Sequence, residues 1–94
     1  NQYRSKYEMN KSQVITAWSN GRSGRTGNGS LTASIDGTLR SYNLVIGMRD
    51  HGELIVGDYT ASGTYFSQTT STHVGDAERV ARSVSVAEFE FTNA

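Results

Sequence analysis

Apolar positions along the chain switch period several times, and each switch marks an element. Val14, Ile15, Ala17 and Trp18 fall at offsets of one, three and four, which is one face of a helix. Asn10 stands where an N-cap belongs, Gln13 three residues on can close a capping box, and Asn20-Gly21 offers a left-handed stop, so a helix is predicted over 10–19. Residues 21–30 hold four glycines and no apolar side chain and read as a loop. From Leu31 the period becomes two: Leu31, Ala33 and Ile35 alternate with Thr32 and Ser34. Asp36-Gly37 is a hairpin signal, and Leu39, Tyr42, Leu44 and Ile46 continue the strand pattern with a phase slip near Arg40-Ser41 that suggests a bulge. Asp50-His51-Gly52 is a second turn, Leu54-Ile55-Val56 a short apolar strand, Ala61-Ser62-Gly63 a third turn, and Tyr65-Phe66 the opening of a fourth strand. Val74, Ala77, Val80, Ala81 and Val84 return to the helical period, which predicts a helix over 72–83 capped by Ser71. Glu88-Phe89-Glu90-Phe91 alternates once more, as an added edge strand or a loose tail.

These elements predict an α+β fold: an antiparallel meander of three to four strands, with two helices packed on one face through Val14, Trp18, Ala77 and Val80, and a C-terminal edge strand. The opposite face carries Thr, Ser and Arg, and is either wet or a docking surface. Residues 10–94 form a single domain and 1–9 an N-terminal extension. Positions 1–8 are polar without a period, and Met9 is either a natural start behind an added leader or an ordinary methionine.

Composition narrows the picture. Ninety-four residues make one domain, which buries about two-thirds of the surface of its unfolded chain. Leu, Ile, Val and Phe number eighteen, but with net charge zero and five Tyr, three Phe and one Trp the chain is expected to fold. The absence of cysteine excludes a disulfide, a thiolate metal site and a cysteine nucleophile. No apolar run is long enough to span a membrane, and no leader is visible, so nothing suggests secretion. The zero net charge hides two poles. Residues 1–49 carry seven basic and two acidic side chains, and residues 50–94 two basic and seven acidic ones. Such halves either complement each other within the fold or across a dimer, or survive as surface poles, one of them for an acidic partner.

Two stretches invite a binding role. Arg22 and Arg25, set among glycines, can wrap an anion with backbone and guanidinium donors. Thr70, Ser71, Thr72 and His73 open a helix whose free N–H groups and hydroxyls can hold a phosphate or carboxylate. If these segments converge, Arg22, Arg25, Arg40 and Arg49 surround a pocket for a nucleotide-like anion or a nucleic-acid backbone. The plainer reading is a solvated connection and a hydroxyl cap. His51, with Asp50, Glu53 and Asp58, lies in a turn and offers no metal-ligand spacing. No cofactor motif and no catalytic motif is present, so no enzyme is expected. A metal-dependent hydrolase working through His51 or His73 is the catalytic alternative.

Ala17-Trp18-Ser19-Asn20-Gly21, Ser41-Tyr42-Asn43-Leu44-Val45-Ile46-Gly47 and Ser67-Gln68-Thr69-Thr70-Ser71-Thr72-His73-Val74 together resemble a group of short uncharacterised proteins of tailed bacteriophages and related mobile elements. The resemblance covers most of residues 10–82. It implies a small accessory protein in the cytoplasm of an infected bacterium, acting by binding a host or defence protein, and it implies no substrate or reaction. Open sheet edges also invite a homodimer. Binding of nucleic acid or an anion through residues 21–30 and 69–73 is the alternative.

Overall fold

Met9 does not stand outside the fold. The computed structural model describes residues 8–93, and its first strand, β1, is Glu8–Met9; positions 1–7 of the expected extension lie outside the described residues. α1 follows over Lys11–Ser19 and starts as the sequence predicts. Asn10 Oδ1 accepts from the Gln13 amide at 2.8 Å, and Gln13 Oε1 accepts from the Asn10 amide at 2.9 Å. Two helix donors that would otherwise lack a partner are satisfied together. The helix stops at Asn20, and Gly21 takes the left-handed conformation with φ 74°.

The next strands run β2 (Gly24–Thr26), β3 (Leu31–Ala33), β4 (Leu39–Ser41), β5 (Leu44–Asp50) and β6 (Glu53–Gly57), each antiparallel to the one before. The meander therefore has five strands where the sequence predicted three to four. Two differences make up the count: the expected strand through Leu39, Tyr42, Leu44 and Ile46 is broken by a tight turn at Tyr42-Asn43 into β4 and β5, and β2 lies inside the segment read as a loop. Its glycines and polar side chains carry no apolar period, yet Gly24 is closely packed there: a Cβ would lie 2.7 Å from Met9 Sδ, so that side chain would have to shift, and 3.5 Å from Ala17 Cβ. β1 joins β2 in parallel at one edge. At the other edge β7 (Arg82–Val84) joins β6 in parallel, after α2 (Gln68–Ala77). The result is one seven-stranded mixed sheet in chain order. Its edge strands are only two and three residues long, which leaves little free ladder for a further strand.

Turn chemistry explains the register. His51 and Gly52 have φ of 51° and 82°, the paired left-handed geometry of a two-residue hairpin between Asp50 and Glu53. The phase slip is a bulge: Leu39 opposes Gly47 while Arg40 opposes Val45, so Ile46 is the extra residue and is buried next to the buried Gly47. The Asp36-Gly37 connection is wider than a two-residue hairpin. Asp36 Oδ1 accepts from the Thr38 amide and hydroxyl, and the Gly37 carbonyl accepts from the Trp18 indole at 2.7 Å. Ile35, expected in a strand, is left at the tip, 77 % exposed.

Three further expectations fail. Tyr65 and Phe66 lie in a connection, not a strand, and are exposed. The second helix begins a turn earlier than predicted. Its cap is Ser67, whose hydroxyl accepts from the Thr70 amide at 3.1 Å, and Ser71 lies inside it. It also ends at Ala77, so Val80 is partly exposed and is no core contact, while Val84 is buried as a strand residue. The free edge of β6 outcompetes helical periodicity by pairing its backbone with residues 82–84. Finally, the tail is a helix, α3 (Val86–Asn93), opened by the Ser85 hydroxyl accepting from the Glu88 amide at 3.1 Å. Phe89 is 1 % exposed and Phe91 84 %, as a helix requires and a strand forbids.

The two faces of the sheet now separate. α1 packs on β2 and β3, α2 on β4 and β6, and the two helices touch, so they share a face, as expected. The core beneath them gathers Val14, Ile15, Trp18, Leu39, Ile46 and Val56. Trp18 packs against Gly47, where an added Cβ would come within 2.8 Å of Cζ2. Alternation places Gly57 and Ile55 on the far face, where Phe89 of α3 covers them; a Cβ at Gly57 would lie 3.1 Å from that ring. Tyr59 meets Phe89 edge-on, with ring centroids 6.3 Å apart.

Candidate functional site

The four arginines do not gather. Arg22 is exposed in the turn after α1, where its amide donates to the Ala17 carbonyl at 2.8 Å. Arg49 lies on the helix-covered face and reaches the end of α1, its Nη2 donating to the Trp18 and Ser19 carbonyls at 3.4 and 3.3 Å. That contact compensates the negative end of the helix. Arg25 and Arg40 share the far face. The register pairs Arg25 with Thr32, Thr32 with Arg40, and Arg40 with Val45, which makes one row across four strands. The Arg40 guanidinium donates to the Ser34 and Thr38 hydroxyls at 3.4 and 3.3 Å.

The hydroxyl-rich run divides by helix geometry. Thr70 and His73 face inward and are buried, while Ser71 and Thr72 are half-buried. Ser41 of β4 joins the first two: its Oγ lies 2.9 Å from Thr70 Oγ1 and 2.7 Å from His73 Nδ1. This chain of polar contacts ties α2 to the sheet. Burial, then the Lys11 ammonium nearby, holds the His73 imidazole below its ordinary pKa, and Asp76 pulls the other way.

The glycine-rich segment and the start of α2 do converge. A cleft of about 580 Å³ is lined by Lys11, Thr26, Asn28, Tyr42, Thr69 and His73, among others. It lies beside the starts of both α1 and α2, neither of which carries an acidic residue in its first turn. Lys11 lines this cleft, and none of the four arginines does. Tyr42 stands at its rim in the left-handed region, φ 55°, within the tight turn from β4 to β5. Neither residue stood out in the sequence. Lys11 is a single lysine at a helix start, and Tyr42 fitted a strand pattern.

A second surface feature includes the turn expected at Ala61-Ser62-Gly63 and the Tyr65-Phe66 pair expected to open a strand. Residues 58–67 form a loop closed on itself. The Asp58 carboxylate accepts from the Thr60 and Ser62 hydroxyls, the Gly63 amide donates to the Thr60 carbonyl at 3.0 Å, and the Thr64 amide donates to the Asp58 carbonyl at 2.9 Å. The Thr60 hydroxyl, more than any other contact, holds the Asp58 carboxyl below its ordinary pKa. Gly63 is required: an added Cβ would overlap the Asp58 carbonyl and carboxylate. Buried Tyr59 anchors one end and the Ser67 cap the other, leaving Tyr65 53 % and Phe66 61 % exposed.

His51 is exposed and pairs with Asp50 at 3.0 Å. Among the described residues no group of three His, Cys, Asp or Glu side chains could hold a metal ion, and no helix is long and apolar enough to cross a membrane. Comparison of the chain with protein-family models, with curated proteins and with solved structures returns no match.

Proposed function

We propose that this chain is a small non-catalytic accessory protein that works by docking on another protein, a host or defence component in the cytoplasm of an infected bacterium. The observation that carries the reading is the 58–67 loop. Two adjacent aromatic side chains are held in solvent by a network that does not involve them. Large aromatics on a pre-organised loop are efficient anchors, because they bring much contact area and lose little conformational freedom on binding. The phage resemblance of residues 10–82 supplies the biological setting. The test is retention of a bacterial lysate on the immobilised protein. The intact chain is expected to hold a stoichiometric protein partner, and the Tyr65→Ser/Phe66→Ser variant to lose it while keeping its thermal midpoint. Recovery of no such partner, or equal retention by the variant, refutes the reading.

The alternative is binding of a nucleotide-like anion or a nucleic-acid backbone. What supports it is the meeting of residues 26–30, Thr69 and His73 with Lys11 in one cleft. Arg22, Arg25, Arg40 and Arg49, which were expected to surround such a pocket, all lie outside it. A titration with inorganic phosphate and a mononucleotide at low salt separates the readings: cleft binding weakens with salt and with Lys11→Ala, and is indifferent to Arg22→Ala.

A further inference from the structure

The far face of the sheet is half ridge and half trough. α3 stands over β6, with Phe89 packed down on Gly57. Phe91, two residues on and therefore about 200° around the helix, projects away from the sheet and is 84 % exposed. Exposed Glu88 and Glu90 flank it. From β5 to β2 no helix covers this face among the described residues. There the surface runs from half-buried Val45 and Met48 to Arg40, Thr32 and Arg25. Three strand spacings make the trough about 14 Å wide, enough for a helix of about 10 Å.

We infer that the trough is filled by α3 of a second copy of this chain, in a two-fold dimer that seats each ridge in the other's trough. Three observations meet in this one arrangement. The two halves differ in height by one helix, so a two-fold rotation that opposes the far faces makes the step complementary to itself. The projecting Phe91 meets the Val45 and Met48 side chains, the apolar end of the trough. The charges match: the ridge carries Glu88 and Glu90, the trough Arg25 and Arg40. The sequence poles, basic before residue 50 and acidic after it, are thereby brought together twice, once on each side of the axis. This contact uses neither the Tyr65–Phe66 loop nor the Lys11 cleft, so it stands or falls apart from the functional reading.

The experiment is sedimentation equilibrium over a concentration series, with thermal melts as the folding control. The intact chain is expected to be a dimer whose dissociation constant rises with salt. Phe91→Ser, the trough reversal Arg25→Glu/Arg40→Glu and the ridge reversal Glu88→Arg/Glu90→Arg should each weaken it by about tenfold or more. An equimolar mixture of trough-reversed and ridge-reversed chains should recover the dimer. In that mixture one contact pairs reversed with reversed and the other native with native, so both are attractive. A chain that stays monomeric to about 100 μM overturns the inference, as does a dimer indifferent to Phe91→Ser or a mixture of reversed chains that does not associate.

Discussion

Gly47 and Gly75 show how opposite the demands on one residue type can be. Gly47 faces the Trp18 ring and the Leu39 Cβ, and an added methyl would sit 2.8 Å from the first and 3.2 Å from the second. Trp18 cannot yield, because it is fully buried and its indole is bonded to the Gly37 carbonyl. Gly47→Ala is therefore expected to lower the unfolding free energy by about 1–3 kcal/mol, the usual cost of overfilling a core. Gly75 lies inside α2 with open space where its Cβ would be. Gly75→Ala should raise stability by about 0.5–1 kcal/mol, since alanine loses less backbone entropy in a helix. Urea unfolding of both variants reads the two signs, and two changes of the same sign would refute this account. The sequence already puts Gly75 in a helix, but that Gly47 has no room for a methyl depends on the approach of Trp18, which is distant along the chain.

Among the elements, α1 was legible because its signals agree: cap, capping box, apolar face and left-handed stop all mark the same boundaries. α2 was displaced because Ser67 and Ser71 are both acceptable caps. The choice fell to Ser67 once Thr70 and His73 could reach Ser41 from that register. Ser67→Ala should accordingly cost about 1 kcal/mol, and Ser71→Ala less than about 0.5 kcal/mol, in chemical unfolding. Equal losses would place the helix start elsewhere. α3 was hidden by its own alternation. Phe89 and Phe91 read as one strand face until a helix turned one inward and the other out. β2 and β7 were missed for a related reason. Three-residue strands at a sheet margin owe their backbone pairing to a neighbour, and their side chains need show no period.

Across the whole molecule, stability is linked to pH through groups that folding shifts. The His73 imidazole binds its proton less tightly in the folded state than its ordinary value of 6.5 implies. In the window below 6.5 the unfolded chain therefore takes up a proton that the folded chain refuses, and stability falls as pH falls. The carboxyls of Glu53, lowered by Arg82, and of Asp58 and Asp36, lowered by threonine hydrogen bonds, add their losses later, as pH drops through and below their ordinary values of 4.5 and 3.8. Unfolding free energies measured from pH 7 to 3 should fall in two stages, and His73→Gln should flatten the first and leave the second. An unchanged first stage would show that His73 is not its source. The sequence by itself determined the first helix, the apolar segments that supply β3 to β6 (though not the turn that parts β4 from β5), the turn at His51-Gly52 and a bulge near Arg40, because each is written in contacts between residues near one another along the chain. Only the tertiary structure decided which helix cap is used, that the tail is a helix on the opposite face, that the arginines part while Lys11 meets the glycine-rich segment, and that two aromatics stand in solvent. Those outcomes depend on backbone groups finding partners far away in sequence, and a local pattern of apolar and polar residues does not encode such a competition.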